Sequence, residues 1–478
     1  MLLEPKRFPR DWSASEGFGA NADRRRNGRE ENAMNGTIPR QAAYDVVVIG
    51  GGPAGTGAAT FLQRAGHDCL VLEGSRFPRY HIGESLIPHT FGTLERLGLL
   101  PKLEKSDFPV KHSVRFVRPS GEEADPFYFS ETIEGPRSRT WQVERSRFDQ
   151  MCAVTARESG VEICEGTRAG RVLFDGEQAV GVQVRTNGDA PRSIAARVVV
   201  DASGRATVLG NQLKLKERVP DLKKASLWTY YRGGYRRSGI DAGETTIFMK
   251  KNRGWFWYIP LPDDIVSVGV VDDPEILFAG IHARVQPETT GEDSSHVVGT
   301  TRHDGQRALE KIWLDEVDRA LPLARWLENA EKIAPLRGIR ELAYLNRQTV
   351  GPGWVMVGDA AGFLDPIYSS GLYLALASAE LAAGCIDEGL RSGDLSARRL
   401  GAFCGPLWDG IDVIWRLIHA FYEPSFSFRR FVERFPEYRE TLIDCLVGDV
   451  VHKDMSGFLE ALATMVEPPR RLKEVAVA

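Results

Sequence analysis

A glycine-rich segment carries the clearest chemical signal in the chain. Gly50, Gly52 and Gly55 form the pattern G-x-G-x-x-G, and Glu73 follows 73 − 50 = 23 residues after the first glycine. Such glycines permit a tight turn, a close approach of the backbone to a diphosphate and close packing of a helix on a strand, while the acid can bind ribose hydroxyls. An ordinary glycine-rich turn is the alternative. The residues predicted to bind a dinucleotide are Gly50, Gly52, Pro53, Ala54, Gly55 and Glu73.

The residues around this pattern predict the elements that position it. Residues 44–49 form a short β-branched run, typical of a strand buried on both faces of a parallel sheet. A helix is predicted over 53–65, followed by a second buried strand over 69–73. Similar strands are predicted at 197–200 and 354–357, so the nucleotide domain is expected to be discontinuous. The stretches predicted to build it are 44–109, 141–215 and 345–395.

Segments that alternate with period two indicate a second sheet. Residues 110–117 alternate in this way, and residues 255–261 turn at 262–264 into 265–270, which predicts a hairpin. The predicted fold class is α/β, with a Rossmann-like nucleotide domain, an interleaved and mainly antiparallel β domain, and a helical C-terminal region. The stretches predicted for the last two are 110–140 with 216–344, and 396–478.

The overall composition excludes several functional classes. The chain has 61 Lys and Arg against 65 Asp and Glu, so it lacks the excess of positive charge that is typical of nucleic-acid-binding proteins. No apolar run is long enough for a bilayer and no secretory signal is found, so a cytoplasmic protein without membrane partners is expected. The six cysteines are scattered, so we predict reduced thiols and no metal site. Residues 1–43 are polar and predicted to be disordered, with Met34 as an alternative start.

Three further segments resemble those of the FAD-dependent hydroxylases. Gly358 and Asp359 resemble the segment that binds the flavin ribityl chain and phosphate, and Asp201 begins a segment similar to the Asp-Gly motif. Arg145 lies in a V-x-R-x-x-F-D pattern that is also typical of those proteins. The resemblance implies FAD, a GR2-type binding domain, and cofactor contacts from these four residues. A second glycine motif for NAD(P)H is absent from the sequence.

Two more motifs make the resemblance specific to the flavin-dependent halogenases, which share the fold of the hydroxylases. The first, W-x-W-x-I-P, comprises Trp255, Trp257, Ile259 and Pro260. The second, F-x-x-P-x-x-S-x-G, comprises Phe363, Pro366, Ser369 and Gly371. Core packing is the alternative for the two tryptophans, which share one face if they lie on a strand. In the family these tryptophans lie near the flavin.

The same resemblance implies that Lys111 is catalytic. It follows the loop 82–85 at the spacing at which halogenases carry an essential lysine. An ammonium can polarise hypohalous acid or carry the halogen as a haloamine, and desolvation readily shifts its pKa. A surface lysine on a half-exposed strand is the alternative. Ser370 and Gly371 open an apolar helix whose N–H groups can hold a halide, with ordinary N-capping by serine as the alternative.

Tyr368 stands where tryptophan-specific halogenases carry a glutamate, so the resemblance favours the branch that acts on phenols and pyrroles. The implied activity is halogenation of a phenol, pyrrole or indole type of small molecule, free or tethered to a carrier protein. FADH2, O2 and chloride or bromide would be used, through hypohalous acid and Lys111, with a separate flavin reductase supplying FADH2. The alternatives are an FAD-dependent monooxygenase or oxidoreductase of the same fold, and a flavin-binding protein without turnover.

Overall fold

A computed structural model of the chain describes residues 37–186, 190–219, 221–251, 254–278, 303–451, 453–470 and 472. The strands up to residue 201 are β1 (Ala43–Ile49), β2 (Cys69–Glu73), β3 (Val110–Lys111), β4 (Ser113–Val117), β5 (Phe127–Tyr128), β6 (Thr140–Trp141), β7 (Glu162–Glu165), β8 (Thr167–Asp175), β9 (Gln178–Thr186) and β10 (Arg192–Asp201). The later strands are β11 (Lys216–Arg218), β12 (Ala225–Arg232), β13 (Thr245–Met249), β14 (Trp255–Pro260), β15 (Ile265–Asp272), β16 (Glu331–Lys332), β17 (Arg337–Ile339), β18 (Tyr344–Asn346), β19 (Val350–Gly351), β20 (Trp354–Met356) and β21 (Gly362–Phe363). The helices are α1 (Pro53–Arg64), α2 (Thr90–Leu97), α3 (Leu100–Glu104), α4 (Arg145–Glu158), α5 (Val208–Gln212), α6 (Pro274–Leu277), α7 (His303–Arg319), α8 (Leu321–Trp326), α9 (Gly371–Ser392), α10 (Ala397–Leu400), α11 (Cys404–Tyr422), α12 (Phe428–Arg434), α13 (Arg439–Val447) and α14 (Ser456–Ala463).

The first sheet has the order β19-β20-β10-β1-β2-β7. β9 pairs with the first residues of β10, and β8 pairs with β9. β1 pairs in parallel with both β10 and β2, so its side chains are buried on both faces. Val46 and Val48 pack with α1 and α9, whereas Val47 and Ile49 pack on the opposite side. This confirms the βαβ opening that the sequence predicts.

The second sheet has the order β16-β12-β15-β14-β13-β4-β5 and is antiparallel except where β13 meets β4. β14 and β15 form the predicted hairpin, and the residues at its turn, Asp263 and Asp264, have φ values of 57° and 58°. Trp255 and Trp257 share one face of β14, while Phe256 packs in a separate cluster on the other. The single-face placement of the tryptophans is therefore confirmed.

Residues 110–117 do not form the single strand that their alternation predicts. β3 pairs with β6 in a two-stranded ribbon, whereas β4 joins the second sheet. The break falls at His112, whose carbonyl accepts the Phe129 amide at 2.9 Å. Lys111 therefore lies outside the second sheet, because its backbone partners come from a different part of the chain.

The predicted N-terminal extension is too long at its C-terminal end. Residues 1–36 lie outside the described residues. Thr37, however, donates to the carbonyl of Glu165 at 2.8 Å and accepts the Thr167 hydroxyl at 2.6 Å. The chain is thus already held against the first sheet before β1 begins, which corrects the expectation of disorder up to residue 43.

The chain after residue 396 is helical in its described part, from α10 to α14. Together with the two sheets, this confirms the predicted fold class. Within the described ranges, no helix has both the length and the apolar character that crossing a membrane requires. The same residues contain no group of three His, Cys, Asp or Glu side chains arranged to hold a metal ion.

Candidate functional site

A cavity of about 370 Å³ lies between the turn after β1, the tryptophan face of β14 and the loop before α9. It brings together side chains that are far apart in the sequence. The predicted site residues that line it are Gly50, Gly52, Pro53, Ala54, Glu73, Arg145, Trp255, Trp257, Ile259, Asp359, Phe363, Pro366, Ser369 and Gly371. The predicted residues that do not line it are Gly55, Lys111, Asp201, Pro260, Gly358 and Ser370.

The three motif glycines have different local reasons for lacking a side chain. Gly50 has φ +101°, and a Cβ there would lie 2.4 Å from the carbonyl oxygen of Ala202. A Cβ on Gly55 would lie 2.0 Å from the carbonyl oxygen of Gly50, so close packing of α1 on β1 requires glycine. Gly52 precedes α1 without a capping side chain, and its Cβ would meet only Arg79 at 3.7 Å. The N-terminal amides of α1 are therefore open to a phosphate from the cavity.

A buried chain of alternating charges connects this turn to the loop before Ser85. Arg79 bridges Glu73 at 3.2 Å and Asp149 at 2.9 Å, and Arg145 binds Asp149 at 2.8 Å. Burial alone would raise the pKa of Asp149, but the two guanidinium groups outweigh it and lower that pKa. Arg145 also donates to the carbonyl of Ile82 at 2.7 Å. Arg79 lines the cavity, and no motif in the sequence singled it out.

Asp201 was predicted to contact the cofactor, but its side chain does not line the cavity. Its carboxylate accepts the Ser203 amide at 3.0 Å, the Ser203 hydroxyl at 2.5 Å and the Leu209 amide at 2.7 Å. The side chain therefore fixes its own turn, and the residues of that turn from Ala202 to Ala206 line the cavity instead. One of them, Arg205, donates to the carbonyls of Leu342 and Glu341 and was not predicted.

The tryptophan face of β14 continues into the helical region through hydrogen bonds. Trp257 donates to the Ser267 hydroxyl at 3.1 Å. Trp255 donates to the Tyr422 hydroxyl at 2.8 Å, and Tyr422 donates to Asp365 at 3.0 Å. Burial raises the pKa of Asp365 to about 6, although two hydrogen bonds oppose that shift. Asp365 occupies an unspecified position of the second motif, between Phe363 and Pro366, and Tyr422 lies outside both motifs, so neither residue was singled out in the sequence.

The loop before α9 separates the main cavity from a smaller one of about 50 Å³. Ser370 and Gly358 line the smaller cavity, whereas Gly371 and Asp359 line both. Ser370 occupies the N-cap position of α9, but its side chain makes no capping hydrogen bond. The N-capping alternative is therefore not observed for Ser370.

Two neighbouring residues show how the same loop is fixed. Ser369 has a positive φ of 54°, which a non-glycine residue adopts only when its surroundings impose it. Tyr368 is buried and donates to the carbonyl of Leu417 in α11 at 3.0 Å. The tyrosine thus anchors the loop to the helical region. Pro260 ends β14 outside the cavity and completes the hairpin opposite Val266.

Lys111 is completely buried, with an exposed fraction of 0%. Its ammonium donates to the Ser85 hydroxyl at 2.8 Å and to the Leu86 carbonyl at 3.1 Å, and it lies 5.6 Å from the centre of the Phe129 ring. Burial lowers its pKa to about 7. The alternative of a half-exposed surface lysine is therefore wrong. The ammonium lies one hydrogen bond behind Ser85, which does line the cavity.

Glu84, which belongs to the loop 82–85, also lines the cavity, although its sequence context did not predict a role for it. Its carboxylate is almost fully buried and accepts the Tyr230 hydroxyl at 2.8 Å. Burial raises its pKa to about 7, so it changes charge near neutral pH. The Tyr230 hydroxyl also lies 3.1 Å from the Tyr80 hydroxyl, which can donate to it while accepting the indole N–H of Trp228 at 2.6 Å. The cavity lining thus contains two carboxylic acids, Glu84 and Asp359, whose pKa values desolvation raises.

Known proteins resemble this chain in both sequence and structure. Residues 43–231 match the FAD binding domain family. The chain is 30% identical over 428 residues to the 1H-pyrrole-2-carbonyl peptidyl-carrier protein chlorinase of Pseudomonas fluorescens, covering 85% of this chain and 89% of that one. It is also 30% identical over 354 residues to the corresponding brominase of Pseudoalteromonas luteoviolacea, covering 74% and 79%. Among solved structures, the flavin-dependent brominase Bmp2 superposes with a TM-score of 0.73 at 28% identity, covering 88% of this chain and 97% of that one.

Proposed function

Since this chain belongs to the flavin-dependent halogenases, we propose that it halogenates an electron-rich aromatic small molecule with FADH2, O2 and chloride or bromide. Family membership rests on the similarity to the Pseudomonas fluorescens chlorinase, 89% of which is covered. The chain is accordingly an FAD-binding enzyme of that family.

The residues at the cavity fit the cofactor. The amides at the start of α1 would hold the diphosphate, because Gly52 leaves the space in front of them free. Glu73 would bind the ribose hydroxyls, and Asp359 would lie near the ribityl chain. When bound in reduced form, the flavin would supply the electrons that reduce dioxygen to the peroxide level, and that oxidant would convert the halide to hypohalous acid. Arg79 and Arg145 keep the surrounding loops in place without facing bulk water.

The burial of Lys111 is the observation that carries the proposal. Its ammonium lies one hydrogen bond behind the cavity wall, and no carboxylate pairs with it in the described part of the chain. A desolvated lysine near its pKa at neutral pH can donate a proton to hypohalous acid or, once neutral, attack its halogen. The closed surroundings would keep the oxidised halogen away from water until it reaches the acceptor.

The halide would bind at the start of α9. The first amides of that helix carry partial positive charge, and Ser370 and Gly371 place them beside both cavities. The Ser370 hydroxyl is not used for capping and could contribute a further hydrogen bond. Trp255 and Trp257 would shield the flavin side of the cavity from the acceptor.

We propose a pyrrole, phenol or indole type of acceptor, and a separate cytoplasmic flavin reductase that supplies FADH2. A pyrrole bound to a carrier protein is the first candidate, because two of the similar enzymes are named for that substrate. Tyr368 is anchored to α11 where tryptophan-specific members have a glutamate, which argues against free tryptophan.

The test is mass spectrometry of acceptor panels incubated with the protein, FAD, a flavin reductase and NADH. Each panel would contain a phenol, an indole, a free pyrrole and a carrier-bound pyrrole, with chloride and bromide in separate reactions. We expect a halogenated product that Lys111→Ala abolishes while retaining FAD. Full activity in Lys111→Ala would remove the catalytic assignment. Hydroxylated product together with NAD(P)H oxidation in the absence of a reductase would instead indicate the monooxygenase.

A further inference from the structure

Two hydroxyl groups separate the Lys111 ammonium from the FAD cavity. Ser85 and Thr245 line the cavity, whereas Lys111 does not. Lys111 Nζ donates to Ser85 Oγ at 2.8 Å, and Ser85 Oγ lies 3.1 Å from Thr245 Oγ1. All three side chains are buried, so these contacts are shielded from competing solvent. The hydroxyl pair therefore forms the nearest polar link between the lysine and the cavity.

The number of available protons limits how these groups can be arranged. An ammonium can only donate, so Ser85 Oγ accepts from Lys111. The Gln142 amide donates to Thr245 Oγ1 at 2.7 Å and to the Gly243 carbonyl at 2.9 Å, and the second contact fixes which end of the amide faces the threonine. Two hydroxyl protons remain, and the contact between the hydroxyls uses one of them. The other is left for a group inside the cavity.

We infer that Ser85 and Thr245 are positioning residues that hold Lys111 and pass its proton to the cavity. This inference rests on the proposed function of Lys111. In the relay, an Nζ–H bond breaks and the proton moves to Ser85 Oγ, while a hydroxyl proton leaves the pair for water in the cavity. The neutral amine then reacts with hypohalous acid. An Nζ–halogen bond forms, the oxygen–halogen bond breaks, and the hydroxide released takes a second amine proton to leave as water.

The other contacts of Lys111 cannot perform this transfer. The Leu86 carbonyl accepts a hydrogen bond at 3.1 Å but has no proton to pass on. Charged groups on the neighbouring elements have other partners, because Glu84 accepts from Tyr230 and Glu244 pairs with Arg115 at 2.9 Å. Burial lowers the pKa of Lys111 to about 7, so net loss of its proton to solvent is close to balanced at neutral pH.

The experiment compares variants that remove or keep each hydroxyl in the FAD-loaded enzyme. Ser85→Ala and Thr245→Val remove the hydroxyl, whereas Ser85→Thr and Thr245→Ser keep it. Thr246→Val is the matched control, because that buried hydroxyl contacts Glu244 rather than the relay. Each enzyme would be assayed for halogenation from pH 6 to 9.5. Separately, cyanate would label the neutral amine of Lys111, and peptide mass spectrometry would give the midpoint pH of labelling.

The expected result combines two opposite effects. Removing Ser85 Oγ takes away an acceptor that favours the ammonium, so the labelling midpoint should fall by about one pH unit. Halogenation at pH 7 should nevertheless slow by about tenfold, because the proton has lost its path. Ser85→Thr should restore both the labelling midpoint and the halogenation rate. Thr245→Val should slow halogenation but shift the midpoint less than Ser85→Ala does. The control Thr246→Val should change neither quantity. Because Thr245→Val leaves the contact between Lys111 and Ser85 in place, slower halogenation in that variant is not expected if Ser85 only holds the lysine.

Several outcomes would overturn the inference. Wild-type halogenation rates in Ser85→Ala, or a rate loss that Ser85→Thr does not reverse, would exclude the relay. If Ser85→Ala fails to bind FAD, Thr245→Val decides, and an unchanged rate in that variant would also exclude it. Absence of any halogenated product from the wild type would refute the proposed function instead. The labelling midpoints would still show whether Ser85 supports the ammonium of Lys111.

Discussion

Replacing Lys111 by methionine should make the protein inactive but more stable at low pH. The substitution keeps the length of the side chain and removes a charge from a site that is 0% exposed. Lowering the pKa of Lys111 from 10.5 to about 7 corresponds to a cost of about 5 kcal/mol for keeping the ammonium buried. Methionine also loses two hydrogen bonds, to Ser85 and Leu86, at about 1 kcal/mol each. The net gain in unfolding free energy is therefore about 3 kcal/mol at pH 6.

The gain should disappear as the pH rises. The folded-state pKa of Lys111 is lowered below its unfolded value, so the unfolded chain binds more protons between about pH 7 and 10.5. The unfolding free energy of the wild type consequently increases with pH across that window, while the methionine variant lacks this term. Near pH 9.5 the remaining cost of neutralising the lysine is about 1.4 kcal/mol, which the lost hydrogen bonds offset.

Thermal unfolding of the two apoproteins at pH 6 and 9.5 would measure this difference. With an unfolding entropy of about 2.1 cal/mol/K per residue over roughly 400 residues, a gain of about 3 kcal/mol raises the midpoint by about 3–4 °C. The exposed Lys105 provides the control, since Lys105→Met should shift the midpoint equally at both pH values. A Lys111→Met variant that melts below the wild type at pH 6 would show that the ammonium is not desolvated.

Three further predictions follow from the site. Gly52→Leu should fold normally but bind FAD at least about tenfold more weakly in fluorescence titrations, because its side chain enters the space before α1; unchanged affinity would contradict the diphosphate assignment. Arg79→Met should lower the unfolding free energy by about 3–5 kcal/mol at pH 7, since it removes the guanidinium that the buried carboxylates of Glu73 and Asp149 share, and the deficit should shrink at low pH as Asp149, whose pKa Arg79 helps to lower, becomes protonated; an equal deficit at both pH values would argue against it. Tyr422→Phe should destabilise by about 1–3 kcal/mol. Its effect should be larger at pH 8 than at pH 5 in thermal melts, because the Asp365 carboxylate loses a donor and its raised pKa rises further; a pH-independent effect would exclude that contact.

The sequence predicted those parts of the fold that depend on residues close together in the chain. The glycine turn, the buried strands beside it and the β14–β15 hairpin each depend on spacing within about 30 residues. The two tryptophans of β14 were placed correctly because alternation along a strand fixes the face of each side chain.

The parts that escaped prediction depend on partners distant in the chain. The burial of Lys111 follows from the pairing of β3 with β6 and from the loop carrying Ser85, neither of which alternation within 110–117 can reveal. Tyr422 reaches Trp255 across 167 positions in the sequence. Asp201 matched a cofactor motif, but whether an aspartate faces a ligand or its own turn depends on amides that only the fold brings to it.

The chain of alternating charges from Glu73 through Arg79 and Asp149 to Arg145 has a consequence for working conditions. Exposed ion pairs weaken as salt is added, but pairs removed from water are screened far less. All four side chains are at most 10% exposed. The ion pairs that connect the glycine turn to the loop carrying Ser85 should therefore persist at high salt concentration. The halide chemistry proposed for the site would thus be compatible with high concentrations of the salt that supplies the halide.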